Sequence, residues 1–268
     1  MIRWVKRLGL AVGLMYVVLC ACLYAIQDRF IFNPQPLPSS FQFRMGEEVE
    51  IEVEKDVNLS CLWIKETQAA KGVILYLHGN KGSNKRCLRQ AQSMLGNDYD
   101  LFMPDYRGYG KSDGEIESEE QILSDVQQVY NFLTKYYEEQ KIIIVGYSLG
   151  SGMASYLAAK NDPQQLVLLA PYLSLVDMKD RILPIIPDFV VKYSLDNYRY
   201  LSSVRCPTTL FHGSRDEVIP FDSSEQLQQL RPENITLIPV EKEGHRGLIF
   251  SAVFRNGFRA LLLEREAS

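Results

Sequence analysis

Short apolar runs at residues 73–77, 99–103, 142–145, 166–169, 208–211 and 235–238 punctuate the chain, and none alternates with polar positions. Unbroken runs of this kind suit parallel strands covered on both faces. Between them lie amphipathic stretches. The clearest is 119–137, where Ile122, Val126, Val129 and Leu133 recur at helical three- and four-residue steps. Strand alternating with helix predicts a doubly wound α/β domain, with a mostly parallel central sheet and helices on both faces. One segment differs: Glu48 to Glu54 alternates acidic and apolar residues with period two, which predicts a strand with one wet face, and 59–64 is its expected hairpin partner.

Two further stretches break the rhythm. Residues 171–204 contain Pro184, Pro187 and many aromatics but no strand pattern, and they exceed a usual connection in length. A short lid is expected there; a helix pair covering the sheet is the alternative. At the other end, 8–26 carries no charged residue and follows Arg3, Lys6 and Arg7. It is long enough to cross a bilayer, which takes roughly 17–25 apolar residues. The apolar region of a cleaved signal peptide is usually only about 7–15 residues. No A-x-A cleavage pattern follows, and apolar character resumes at Phe30-Ile31-Phe32. A retained anchor over 1–27 is therefore expected, with secretion after signal cleavage as the alternative. Leu19-Cys20-Ala21-Cys22 departs from a lipid-attachment box because Cys20 falls off the pattern. Cations on the N-terminal side place the N-terminus in the cytoplasm and the folded part in the periplasm, the lumen or outside. The proline-rich stretch Asn33-Pro34-Gln35-Pro36-Leu37-Pro38 reads as an extended linker, 28–45, lifting a domain of 46–268 off the membrane.

Composition narrows the function classes. The 268 residues are 46% hydrophobic and 23% charged with a net charge of −4, ordinary globular material without the basic footprint of a nucleic-acid binder. Cys20 and Cys22 lie in the apolar run, and Cys61, Cys87 and Cys206 are far apart with no C-x-x-C pair. That spacing leaves room for one bridge and excludes a dense disulfide framework. No H-x-H or H-E-x-x-H pattern occurs, so neither a metal nor another cofactor is expected.

The chemistry concentrates at strand ends. Gly146-Tyr147-Ser148-Leu149-Gly150 lies between the 142–145 run and a helical stretch at 151–160, which is the context of a nucleophile elbow. So tight a turn strains the serine and lifts its hydroxyl above the sheet, and small neighbours let strand and helix approach. The alternative is a glycine-rich turn with a satisfied serine. A serine at its free pKa needs a base within hydrogen-bond reach. Of the three histidines, only His245 follows both the serine and a downstream acid, the chain order of this arrangement. Asp216 and Glu217 both qualify as the orienting carboxylate. The N–H of Leu149 and that of Asn80, in His78-Gly79-Asn80, are the candidate oxyanion donors. The His78 side chain reads as a brace between loops. The loop Asp105-Tyr106-Arg107-Gly108-Tyr109-Gly110 lacks P-loop spacing, and Arg107 reads as a tie to neighbouring segments.

Together these motifs resemble the α/β-hydrolases of the abhydrolase-domain type, in the membrane-anchored branch often called BEM-like. The resemblance rests on the anchor, Gln27-Asp28-Arg29-Phe30-Ile31-Phe32-Asn33-Pro34, His78-Gly79-Asn80, Asp105 to Gly110, the elbow, Gly213-Ser214-Arg215-Asp216 and Gly244-His245. It implies an α/β-hydrolase fold and a serine hydrolase of the carboxylesterase, lipase or thioesterase kind. It also implies Asp216 as the acid, from the G-x-x-D-x-x-(V/I)-P pattern. Relatives in this branch act on lipid esters, lysophospholipids or protein thioesters, which implies a small-molecule or lipid ester partner. One departure is Arg246-Gly247 where many members continue G-H-N-D. A peptidase of the same fold and a non-catalytic scaffold are the rival readings.

Overall fold

The computed structural model describes residues 2–66 and 70–264; Met1 and 265–268, the outer ends of the expected anchor and domain, lie outside the described residues. Among the described residues, eight strands form one sheet: β1 Glu47–Glu54, β2 Val57–Ile64, β3 Gly72–Leu77, β4 Tyr99–Pro104, β5 Ile142–Tyr147, β6 Gln165–Leu169, β7 Thr208–Gly213 and β8 Ile235–Val240. Their spatial order is β1-β2-β4-β3-β5-β6-β7-β8. β2 runs antiparallel to both of its neighbours, and every other pairing is parallel. The helices are α1 Ile2–Ile26, α2 Asp28–Ile31, α3 Asn84–Ala91, α4 Glu119–Leu133, α5 Gly150–Lys160, α6 Leu175–Ile182, α7 Asn197–Leu201, α8 Asp222–Leu230 and α9 Ala252–Glu264.

The unbroken apolar runs have the cause their pattern suggests. Val73, Leu75 and Leu77 of β3 join Ile142, Ile144, Leu166 and Leu168 in a core under α4, α5 and α8. Ile74, Tyr76, Ile143, Val145, Val167 and Leu169 join a second core on the opposite face, packed on Cys87 and Ala91 of α3 and Phe254, Phe258 and Leu262 of α9. Alternate residues of one strand thus feed two cores, so both faces of the inner strands are mostly apolar. β1 keeps its alternation because it is the sheet edge: Ile51 and Val53 are buried while Glu48, Glu50, Glu52 and Glu54 face water. A row of carboxylates also discourages edge-to-edge pairing with another chain.

Several expectations need correction. α4 starts where predicted, with the Ser118 hydroxyl accepting from Gln121 N at 3.1 Å. It stops at Leu133 rather than 137, because Tyr136 turns back onto Trp63 (5.0 Å between rings) and the Tyr137 hydroxyl bonds Asp100 at 2.6 Å. None of the five cysteines forms a disulfide. Cys61, Cys87 and Cys206 are buried, and burial pushes the Cys87 thiol up to about 12.

The proline-rich connector does not hold the domain at a distance. Asn33–Pro34 pairs in parallel with Lys81–Gly82, and Pro36 bridges Gly110. Phe32 is buried against the edge of Tyr193 with ring centroids 4.9 Å apart. Prolines cannot donate, but the N–H groups between them can, and Gln35 donates to Gly82 O at 2.9 Å. The segment is therefore an added edge of the fold.

Candidate active site

Local sterics shape the elbow. Ser148 lies at φ +53°, a conformation that costs a residue with a Cβ about 1–3 kcal/mol. Its N–H donates to Leu169 O at 2.9 Å, holding it against β6. The flanking glycines are required by close approach: a Cβ at 150 would sit 2.1 Å from Leu77 O, and one at 146 would sit 2.6 Å from the Ala154 Cβ. β5 can meet α5 at this angle only without a side chain at 146, and α5 can start against the end of β3 only without one at 150.

The structure brings the three sequence-predicted side chains together from the ends of three strands. His245 Nε2 lies 3.0 Å from Ser148 Oγ, and its Nδ1 lies 2.7 Å from Asp216 Oδ2. With the proton on Nδ1 donated to the carboxylate, Nε2 is left as an acceptor for the serine hydroxyl. The Asp216 side chain is fully buried, and its Oδ1 accepts the N–H groups of Val218 and Ile219, both at 2.8 Å. Burial alone would push this carboxyl up. Hydrogen bonds from His212 and His245, the electrostatic attraction of the His245 ring and the Ile219 N–H outweigh it and hold the group well below the usual carboxylate range.

The two candidate acids divide the work. Asp216 takes the His245 ring, whereas Glu217 Oε2 accepts the His245 backbone N–H at 3.2 Å. Leu149 and Asn80 flank the serine as expected, and both line its cavity. Among the described residues, neither backbone N–H donates to a protein acceptor. A Cβ added at Gly79 would lie 3.5 Å from the Ser148 Cβ, an ordinary contact, so this glycine is not forced by space.

His78 and Arg107 are structural. The His78 ring is buried, with Nδ1 2.7 Å from Gly79 O and Nε2 3.4 Å from Asp105 Oδ1, and it lies 4.3 Å from the Tyr106 ring. Arg107 grips Asp125 with two nitrogens, at 2.7 and 3.0 Å, and reaches Glu54 at 2.9 Å. Two contributors escape sequence reasoning. His212 donates from Nε2 to Ile219 O at 3.0 Å and lies 3.4 Å from Asp216 Oδ2, supporting the acid from below. The Tyr147 hydroxyl donates to His245 O at 2.9 Å while its ring stacks on the imidazole at 5.4 Å. No local signal marks either residue; only the strand ends on which they sit could suggest them.

The serine opens into a cavity of about 1150 Å³. Met178, Ile182, Leu183, Ile186 and Val190 form one wall, and Lys81, Lys85, Arg86 and Arg89 line another.

One antiparallel strand in an otherwise parallel eight-stranded sheet, with a strained serine at the crest of the fifth strand, is the architecture of the α/β-hydrolase fold, and the chain has that fold. Residues 68–198 match the family described as serine aminopeptidase, S33. The chain is 27% identical over 253 residues to an uncharacterised Mycobacterium tuberculosis protein, covering 90% of this chain and 89% of that one. It is 30% identical over 196 residues to the lysophosphatidylserine lipase ABHD12 of Danio rerio, covering 65% of this chain and 50% of the lipase. Among solved structures, an esterase of Pyrococcus furiosus superposes with a TM-score of 0.68 at 21% identity, over 88% of this chain and 97% of the esterase. Est1E of Butyrivibrio proteoclasticus gives 0.65 at 17% identity, over 82% and 100%.

Proposed function

We propose that the protein is a serine hydrolase that cleaves a carboxylic ester or thioester, with Ser148 as nucleophile, His245 as base and then acid, and Asp216 as orienter. The observation that carries this reading is the unbroken chain of contacts from Ser148 Oγ through the His245 ring to a buried Asp216 carboxylate. Ser148 Oγ attacks the acyl carbon while its proton passes to His245 Nε2. The C–O or C–S bond then breaks and the leaving group takes that proton, giving an acyl-serine. Water repeats the sequence from the other side and restores the serine. The N–H groups of Leu149 and Asn80 stabilise the oxyanion, each contributing roughly 3 kcal/mol. Residues 171–204 act as a lid over the domain 46–268. The apolar wall and the name of the Danio rerio relative favour an acyl lipid as substrate.

Helix Ile2–Ile26 is long and apolar enough to cross a membrane, with a mean hydropathy of 2.3, a property shared by anchors and signal sequences. We take it as a retained anchor, with the N-terminus cytoplasmic and the catalytic domain on the far side. The aminopeptidase description of the family favours a second reading, peptide cleavage at the same serine.

A fluorophosphonate probe tests the core of the proposal. Labelling of the native chain and its loss in Ser148→Ala are expected, and an unlabelled native protein refutes it. Release of p-nitrophenol from acyl esters, but not of p-nitroaniline from aminoacyl anilides, separates esterase from peptidase. The His245→Ala variant loses the acylation burst; a retained burst removes that histidine from the mechanism.

A further inference from the structure

The N-terminal helix does not end at the surface of the domain. Leu23 and Gln27 at its end, with Phe30 and Ile31 just beyond, line the same cavity as Ser148. The segment is tied down on both sides of the site. Toward the lid, Gln27 Nε2 donates to Val190 O at 2.8 Å, Lys192 N donates to Gln27 Oε1 at 2.8 Å, and Lys192 Nζ pairs with Asp28 at 2.8 Å. Toward the oxyanion loop, Asn33 N donates to Asn80 O at 2.9 Å, and the Tyr109 hydroxyl donates to the same oxygen at 2.7 Å. The residue carrying one candidate oxyanion donor is thus held, through its carbonyl, partly by the membrane-proximal chain.

The lid side tells the same story from outside. Ile182, Ile185 and Phe189 are 72%, 69% and 82% exposed, and Phe30 beside them is 71% exposed. Exposed apolar groups clustered on one face mark a membrane or partner surface. The Tyr16 hydroxyl donates to Ile185 O, so the lid tip lies beside α1 about 16 Å, at 1.5 Å per residue, from Gln27. The charges near that tip are paired rather than isolated, with Lys179 Nζ held between Asp180 and Asp188. A lid tip that accompanies a membrane-spanning helix this far reaches among the lipid chains.

We propose that residues 23–31, together with the lid, form the binding channel for the long acyl chain of a membrane-resident ester, which passes laterally from the bilayer between α1 and the lid to place its carbonyl at Ser148. The anchor is then a wall of the substrate site as well as a tether. This inference rests on the serine-hydrolase reading above. The cavity lies at or beyond the roughly 300–1,000 Å³ of small-molecule sites, as a long chain requires. Each CH2 removed from water within it contributes about 0.8 kcal/mol, which makes chain length a sensitive probe of the wall.

The test uses the full chain in phospholipid nanodiscs, with p-nitrophenyl butyrate and p-nitrophenyl palmitate as substrates. The ratio of kcat/KM for the palmitate to kcat/KM for the butyrate is expected to fall at least tenfold in Leu23→Trp and Ile31→Trp, and to keep its native value in Val12→Trp, which lies on the same helix away from the cavity. A ratio within twofold of native in both channel variants overturns the inference, as does an equal fall in Val12→Trp. A second measurement needs no variant. A hexadecyl fluorophosphonate bearing a terminal diazirine, once attached to Ser148 and irradiated, should cross-link to residues 23–31 and 178–190. Cross-links confined to other segments overturn the channel. A native chain that hydrolyses neither ester and takes no probe refutes the hydrolase reading itself, and the channel with it.

Discussion

The crest of the sheet and the wall formed by α1 and the lid meet at one serine, yet they are built on opposite principles. At the crest every group is fixed more than once: Asp216 is held by two backbone N–H groups and approached by two histidines, and Gly150 fits where no Cβ could. Along the wall, Ile182, Ile185 and Phe189 lie exposed, and the bonds between the N-terminal segment and residues 185–192 gather at Tyr16, Gln27 and Asp28. Bond making tolerates small errors in position poorly, whereas an acyl chain has no polar features to recognise and needs only a continuous apolar surface.

The largest expected effect that tests this contrast is at Asp216. Asp216→Asn should lower kcat about 10⁴-fold, the scale of losing the histidine tautomer, while circular dichroism shows an unchanged fold. Its folded-state carboxyl is held below the usual range, so its contribution to stability is fully present above the ordinary carboxylate value near 4 and is lost as pH falls through the folded value. The stability difference between native and Asp216→Asn chains in urea should be constant from about pH 5 to 8 and shrink below about pH 4. A difference that grows in acid would contradict the depressed carboxyl.

Next comes Gly150→Ala, whose methyl would lie 2.1 Å from Leu77 O. It should cost about 2–3 kcal/mol, read as a lower urea midpoint, and activity should fall with it as the elbow opens. Glu217→Gln should cost only about 1 kcal/mol in transition-state stabilisation, roughly fivefold in kcat/KM, because it weakens one backbone hydrogen bond and leaves the ring contact intact. An effect as large as that of Asp216→Asn would reassign the acid. Smallest of all, Phe189→Ser should shift stability by less than about 0.5 kcal/mol, measured as Tm, since the ring is 82% exposed. A larger loss would mean that the lid is part of the folded core, and the contrast between the two regions would collapse.

Legibility followed the same division. The inner parallel strands appear as apolar runs because two cores take up their side chains, whereas β8 is the opposite edge of the sheet and leaves Thr236 and Pro239 exposed; observed bounds extend the predicted runs by at most a few residues. Ser148 and His245 were legible because the steric demands of the elbow and the chain order of the fold leave a local trace, whereas that order leaves Asp216 and Glu217 both open and only the resemblance favours Asp216. The helix end at Leu133 was not, since the capture of Tyr136 and Tyr137 by Trp63 and Asp100 depends on strands far away in sequence. The connector was misread for the same reason. Prolines look extended whether they cross solvent or lie along Lys81–Gly82 and Gly110.

Sequence by itself determined the α/β alternation, the strained serine between two obligatory glycines, and the order of the residues beside it. These are consequences of local sterics and of burial on both sheet faces, and both are written in neighbouring residues. Only the tertiary structure decided that Asp216 takes the imidazole while Glu217 takes its backbone, that His212 and Tyr147 brace the pair, and that the end of an apolar helix lines the cavity of Ser148. Each of those depends on distances between segments that are remote along the chain, which are set by packing and leave no periodic mark in the sequence.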